Sequence, residues 1–321
     1  MTLRPLPLFV CLVLLACPST PSLARDKPSG ADEAPRPTED ELKEIRQLMR
    51  RVVRGPHPAL RSEAANALGN YGRKAEVAIP ALVTALKDRD VSVSSTAAVA
   101  LGKVGVESRD AVKGLVDALE RDPMLAASAA EALGRIGPNA ATALRPLLKA
   151  LEHDDADLRR EATLALGRLG PEAEKQAVAP IRLLLDDAEP RVKLAAALSL
   201  TRLNVEGDEP VIATLARAVS KDGRMVIEMR QAACEALGEH GPRAASAVSA
   251  LVACLRERHV HNPAIPYADQ RLAQHNDLRR AAATALGAIG SAEALPALRD
   301  AGATPELQEA AEAAIARIES R

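Results

Sequence analysis

A short segment, Arg159–Gly170 (RREATLALGRLG), recurs along the whole chain. It returns at Arg61–Gly72, Ser94–Gly105, Ala126–Gly137, Lys193–Asn204, Arg230–Gly241 and Arg279–Gly290. Its leucine stands at Leu68, Leu101, Leu133, Leu166, Leu200, Leu237 and Leu286, in steps of about 32 to 37 residues with a last step of about 49. A period of this length restricts the fold to stacked units, each burying its apolar face only against its neighbours.

Each position of the segment has a physical reason. A small pair precedes every leucine, as in Ala64-Ala65, Ala129-Ala130 and Ala282-Ala283, and lets neighbouring helices approach closely. Four residues after the leucine stands a glycine in every copy but one, which has Asn204. A helix C′ residue often needs positive φ, free to Gly and best tolerated otherwise by Asn. Pro138, Pro171 and Pro242 follow directly and stop the first helix. A shorter second helix is expected at Val77–Lys87, Ala111–Glu120, Ala143–Glu152, Val178–Asp186, Val211–Val219 and Ala247–Arg256. Pro80, Pro146, Pro180 and Pro296 lie in its first turns. Aromatic residues are only 1% of the sequence, so the core must be built from Ala, Leu, Val and Ile, which points to an all-α fold.

At the N-terminus, residues 1–24 read as an export signal: Arg4, an apolar run from Leu6 to Ala16, and small residues at Ser22 and Ala24 for cleavage after Ala24. The run is too short to span a bilayer, which takes about 20 residues. Leu14-Leu15-Ala16-Cys17 also resembles a bacterial lipobox, making Cys17 a candidate lipidation residue and the mature chain a candidate lipoprotein. Both routes place the protein outside the cytoplasm, in the periplasm or cell envelope or secreted. Residues 25–37 form a polar linker with too little apolar surface to order itself. Residues 38–55 form a capping helix, opened by the capping box Thr38-Glu39-Asp40-Glu41 and carrying a stripe of Leu42, Ile45, Leu48, Met49, Val52 and Val53. A trailing half-unit, Glu306–Ile318, places Ile315 in the leucine slot.

The wording DxDxxVRxxAAxALGxIG followed by PxLxxxLxD resembles HEAT repeats, especially the short alanine-rich type of phycobilisome lyases. Asp155 through Gly170 carries the match most fully, and the likeness covers almost all of residues 57–318. Ser94 and Ala126 depart from it, replacing the repeat arginine. The resemblance implies a right-handed α-solenoid, a superhelix of about seven helix pairs with capping helices, of armadillo type. It also implies a protein-binding scaffold. Bilin attachment is a minority role in the family, and export argues against it here. With no His-Glu dipeptide, the likeness does not extend to HEAT-like metal hydroxylases.

Candidate chemistry is sparse. The arginine slot holds Arg61, Arg159, Lys193, Arg230 and Arg279, and Asp88, Asp154, Asp187 and Asp222 end the preceding second helices. Their periodicity reads as exposed inter-unit ion pairs worth about 0–1 kcal/mol each rather than as an anion site. Four of the six histidines, His240, His259, His261 and His275, fall in the sixth unit and the segment after it. His259 and His261 are weak metal candidates, and solvated loop histidines are the expectation, with no metal and no cofactor. Cys234 and Cys254 occupy interior slots of one unit, where a disulfide and a pair of buried thiols are equally open. The long step between Leu237 and Leu286 contains an insertion at about 257–276 that is proline-bearing in its first half and helix-compatible from Tyr267.

The outward second-helix ridge reads Thr84, Asp117, Lys149, Leu183, Arg217 and Ala253, with Lys87, Glu120, Glu152, Asp186, Ser220 and Arg256 in the next row. Lys+Arg 42 against Asp+Glu 43 leaves a net charge of -1, and no basic stripe suits nucleic acid. The expectation is an exported, non-enzymatic scaffold. It takes a protein or peptide on Lys87, Asp117, Glu120, Lys149, Glu152, Arg217 and Arg256, or on the insertion through His259, His261 and Tyr267. The mature domain does not insert into a membrane. The alternative is a lyase-like or metal- or cofactor-handling accessory protein using the histidine-bearing insertion.

Overall fold

The computed structural model describes residues 36–105, 107–205, 208–220, 225–258 and 267–321. The signal segment, nearly all of the linker, Cys17, His259 and His261 lie outside them. Pro37–Arg321 forms one compact unit. Its described residues carry α-helices and short 3-10 turns, with no strand among them.

The helix α1 (Glu39–Arg54) leads the array. Its capping box is formed: Thr38 Oγ1 accepts from the Glu41 N–H at 3.2 Å, and the Thr38 N–H donates to Glu41 Oε2 at 2.7 Å. Ile45, Leu48 and Val52 are buried while Val53 stays in solvent, so the stripe is narrower than the sequence suggests. Seven helix pairs follow: α2 (Pro58–Asn70) with α3 (Ile79–Ala85), α4 (Val91–Val104) with α5 (Arg109–Arg121), α6 (Pro123–Ile136) with α7 (Leu144–Ala150), and α8 (Ala156–Leu166) with α9 (Pro171–Leu183). Then come α10 (Pro190–Arg202) with α11 (Glu209–Val219), α12 (Ile227–His240) with α13 (Val248–Leu255), and α14 (Ala268–Ile289) with α15 (Leu295–Gly302). A single helix, α16 (Gln308–Glu319), closes the stack. First helices pack on first helices and second on second, which makes the array an α-solenoid.

Three units turn through 3-10 segments, Gly72–Ala78, Gly137–Ala143 and Gly241–Ala247, each kinked at a buried alanine: Ala75, Ala140 and Ala244. The fourth unit differs. Pro171 occupies the first turn of α9 directly after Gly170, so the helix starts early and Pro180, expected near its beginning, lies inside it. Asn204 adopts φ 55, the left-handed turn its slot requires. Gly105 instead has φ -90. It is glycine for space: an added methyl would meet the Ala111 Cβ at 2.6 Å.

The stack is held along a seam that the leucine pattern does not show. The residue after each leucine is glycine at Gly69, Gly102, Gly134, Gly167, Gly238 and Gly287. Each faces a small residue of the next first helix, and a methyl built on Gly134 would stand 2.8 Å from the Ala165 Cα. Backbones therefore touch, and dispersion contacts are dense. Thr201 alone replaces glycine in this slot. Its hydroxyl bonds the Ala197 carbonyl at 2.9 Å and pairs with His240 Nε2 at 3.0 Å. At this joint α10 and α12 touch less closely than any other consecutive first helices. His240 holds the slot that is Val104, Ile136 and Leu169 in other units, and it is buried.

Candidate partner-binding surfaces

The arginine slot is not an exposed edge. Arg61 forks onto Asp88, with Nε to Oδ2 at 2.6 Å and Nη2 to Oδ1 at 2.8 Å. Arg159 forks onto Asp187 at 2.8 and 2.9 Å. Arg230, only 6% exposed, forks onto Glu257, with Nη1 to Oε2 at 3.1 Å and Nη2 on the other oxygen. In each case the acid ends the second helix of the same unit, 27 or 28 residues on. The expected pairing to the preceding second helix is thus corrected. That helix contributes backbone carbonyls instead: Gly55 O takes Arg61 Nη1 at 3.0 Å, His153 and Asp154 O take Arg159 Nη1 at 2.8 Å, and Val219 O takes Arg230 Nε at 2.7 Å. Each guanidinium therefore staples the end of the preceding helix to the end of its own unit's second helix, largely out of solvent.

The electrostatics agree with this geometry. The Arg61 hydrogen bonds hold Asp88 below the usual carboxylate range. Burial opposes ionisation of Asp187, yet the Arg159 fork outweighs it and the net direction is again downward.

The second-helix ridge is outward-facing as expected. Lys87, Glu120, Lys149, Glu152, Arg217 and Arg256 are exposed, and Asp117 is half-buried. Leu183, 78% exposed, is the large apolar side chain in this row. Tyr267, at φ 63, opens α14 and is 76% exposed. The insertion thus ends in a helical extension that lengthens α14 to 22 residues.

The histidine expectation needs correction. His240 and His275 are buried helix residues, not solvated loop residues. Burial, then the Arg243 charge, lowers the His240 pKa from 6.5, against an opposing pull from Asp208. Among the described residues no group of three His, Cys, Asp or Glu side chains converges as a metal site. Cys234 and Cys254 are both buried free thiols. They lie against each other, and their mutual hydrogen bond, with burial second, pushes Cys234 up. The Arg230 Nη2 approaches Cys254 Sγ at 3.8 Å. No helix among the described residues is long and apolar enough to cross a membrane.

One surface feature was missed at the sequence level. A cavity of about 840 Å³ lies between the ends of α13 and α15 and the extension of α14, lined in part by Arg256, Arg258, Arg279, Arg299 and Thr304. Only Arg256 among its arginines was singled out as a contact residue. The available signal was Thr304, which stands six residues after Leu298 where Asp88, Asp187 and Glu257 stand six residues after Leu82, Ile181 and Leu251.

Family models for HEAT repeats match residues 45–134, 112–201 and 144–229, and one for the PBS lyase HEAT-like repeat matches 278–301. No curated protein matches the chain. Among solved structures, the CpcE–CpcF complex of phycocyanin lyase from Nostoc sp. PCC7120 is 23% identical, covering 94% of this chain and 99% of that one, with a TM-score of 0.53. YibA from E. coli is 15% identical over 89% of this chain and 99% of its own, with a TM-score of 0.55. Human deoxyhypusine hydroxylase is 24% identical over 87% and 97%, at a TM-score of only 0.37. The expectation of a non-enzyme is corrected by the lyase likeness: a phycocyanin lyase has this fold, so the fold does not set catalysis aside.

Proposed function

The chain belongs to the HEAT-repeat family, and from that premise we propose that it is an extracytoplasmic scaffold that binds a protein or peptide partner along its second-helix ridge. The observation that carries this reading is the ridge itself. Successive units expose Lys87, Glu120, Lys149, Glu152 and Arg217, with Leu183 bare among them. Charges of both signs around an apolar residue give a protein surface both register and an anchor. The apolar run before Cys17 and the small residues at Ser22 and Ala24 support the location.

Affinity capture from cell-envelope extract tests the function. The wild-type chain retains a defined partner, and the double variant Lys149→Glu, Arg217→Glu loses it. An unchanged set of captured proteins sinks the ridge as the binding surface. Mass analysis of the mature N-terminus tests the location: a start at Arg25 or a lipidated Cys17 is expected, and an intact Met1 start overturns export.

A further inference from the structure

The seven units can be set in one register. Seven residues before the leucine slot stand Arg61, Ser94, Ala126, Arg159, Lys193, Arg230 and Arg279. Six residues after the fully buried anchor of each second helix (Leu82, Leu115, Leu147, Ile181, Leu215, Leu251 and Leu298) stand Asp88, Arg121, His153, Asp187, Lys221, Glu257 and Thr304. The two positions vary together. Arginine and acid are both present in the first, fourth and sixth units, and both are absent in the second and third. The fifth has lysine at each. Only the seventh keeps the arginine without the acid at this position; Glu306 stands two residues beyond it.

Arg279 therefore makes half of the staple. Its Nε donates to the Leu255 carbonyl at 2.8 Å, as Arg230 does to Val219. No carboxylate of the described residues lies within ion-pair distance of its guanidinium, although Glu306 is near enough to act on it electrostatically. Beside Arg279 is the cavity of about 840 Å³, whose lining includes Arg256, Arg258, Arg299 and Thr304 together with the acids Asp300 and Glu306. Arg299 is partly engaged by Glu319 at 3.2 Å. A guanidinium presents two parallel N–H donors that fit a carboxylate, and further arginines nearby add attraction for an anion.

We propose that this cavity takes a carboxylate of a bound peptide, which fills the place held by Asp88, Asp187 and Glu257 in the other units. The inference rests on the peptide-binding reading above and adds to it the chemistry of one contact. An acidic side chain and a C-terminal carboxylate share that chemistry. Asp300 and Glu306, both exposed in the lining, are internal competitors for these arginines.

Fluorescence anisotropy on the full chain tests this with three labelled probes: a glutamate-rich peptide with an amidated C-terminus, its glutamine counterpart, and the glutamine counterpart with a free C-terminal carboxylate. The glutamate probe binds and the amidated glutamine probe does not. Binding of the third assigns the C-terminus as a second acceptable source. Thr304→Asp supplies the missing acid from within, leaving the protein folded and weakening the glutamate probe by about tenfold or more. Arg279→Lys keeps the charge, loses the fork and weakens it to a similar degree. Glu306→Gln tightens it. Undiminished probe affinity in Thr304→Asp overturns the inference. Probe affinity reads the cavity and envelope capture by the ridge variant reads the wider proposal, so one can fail without the other.

Discussion

Arg230 and Arg279 hold the same slot in consecutive units and end in opposite situations. Arg230 is closed on both sides, by the Val219 carbonyl and the Glu257 carboxylate. Arg279 has the carbonyl but not the acid. Gly134 and Thr201 make a parallel contrast in the seam: one lets backbones touch, the other holds them apart and borrows a histidine from the next unit. The repeat is thus maintained as pairs of positions. Arginine goes with an acid, and threonine goes with a histidine. A member that stands alone is where the surface is free to do something else.

The largest expected effect comes from removing each arginine. Arg230→Ala leaves a nearly buried Glu257 without a partner and destabilises by about 3 kcal/mol. Arg279→Ala strands no carboxylate and costs about 1 kcal/mol. Urea unfolding followed by circular dichroism measures both, and equal losses would break the contrast.

The seam gives the next effect. Gly134→Val forces branched carbons against the Ala165 backbone and costs about 2 kcal/mol, as overpacking does. Thr201→Val, at the joint already open, loses only the hydroxyl bonds to Ala197 and His240, at about 1 kcal/mol. Melting temperatures rank the two, and a reversed order would show that the joint is packed as tightly as the rest.

The smallest effect separates joint and staples by pH. A buried His240 with a lowered pKa contributes stability that is full above about 6.5, its unfolded value, and is lost as pH falls through the lower folded one. Asp88 and Asp187 are also held low, so their contribution is full above about 3.9 and fails only below that. Hydrogen exchange from pH 7.5 to pH 5 therefore loosens the α10–α12 joint while the staples stay shut. His240→Leu removes that loosening, and an unaltered profile in this variant would sink the assignment.

The array was legible because its determinants are local. The leucine period, the small pair and the C′ residue act within one helix and its turn, and Asn204 behaved as its backbone preference requires. The partners of the arginines were not legible from neighbouring sequence. Every arginine lies between two helix ends of similar composition, and only the stagger of the stack decides which supplies the acid. Polarity misled at His240, where the slot is apolar although the residue is not. The cavity depends on what Thr304 is not, which is visible only once all seven units are in one register.

The Thr201 joint also bears on how the protein folds and frays. In a one-dimensional array, cooperativity passes from unit to unit through shared interfaces, and a thin interface weakens the coupling across it. At this joint the coupling passes mainly through the second helix: α11 packs on α12, on α13 and on the turn between them, while the contact of α10 with α12 is small.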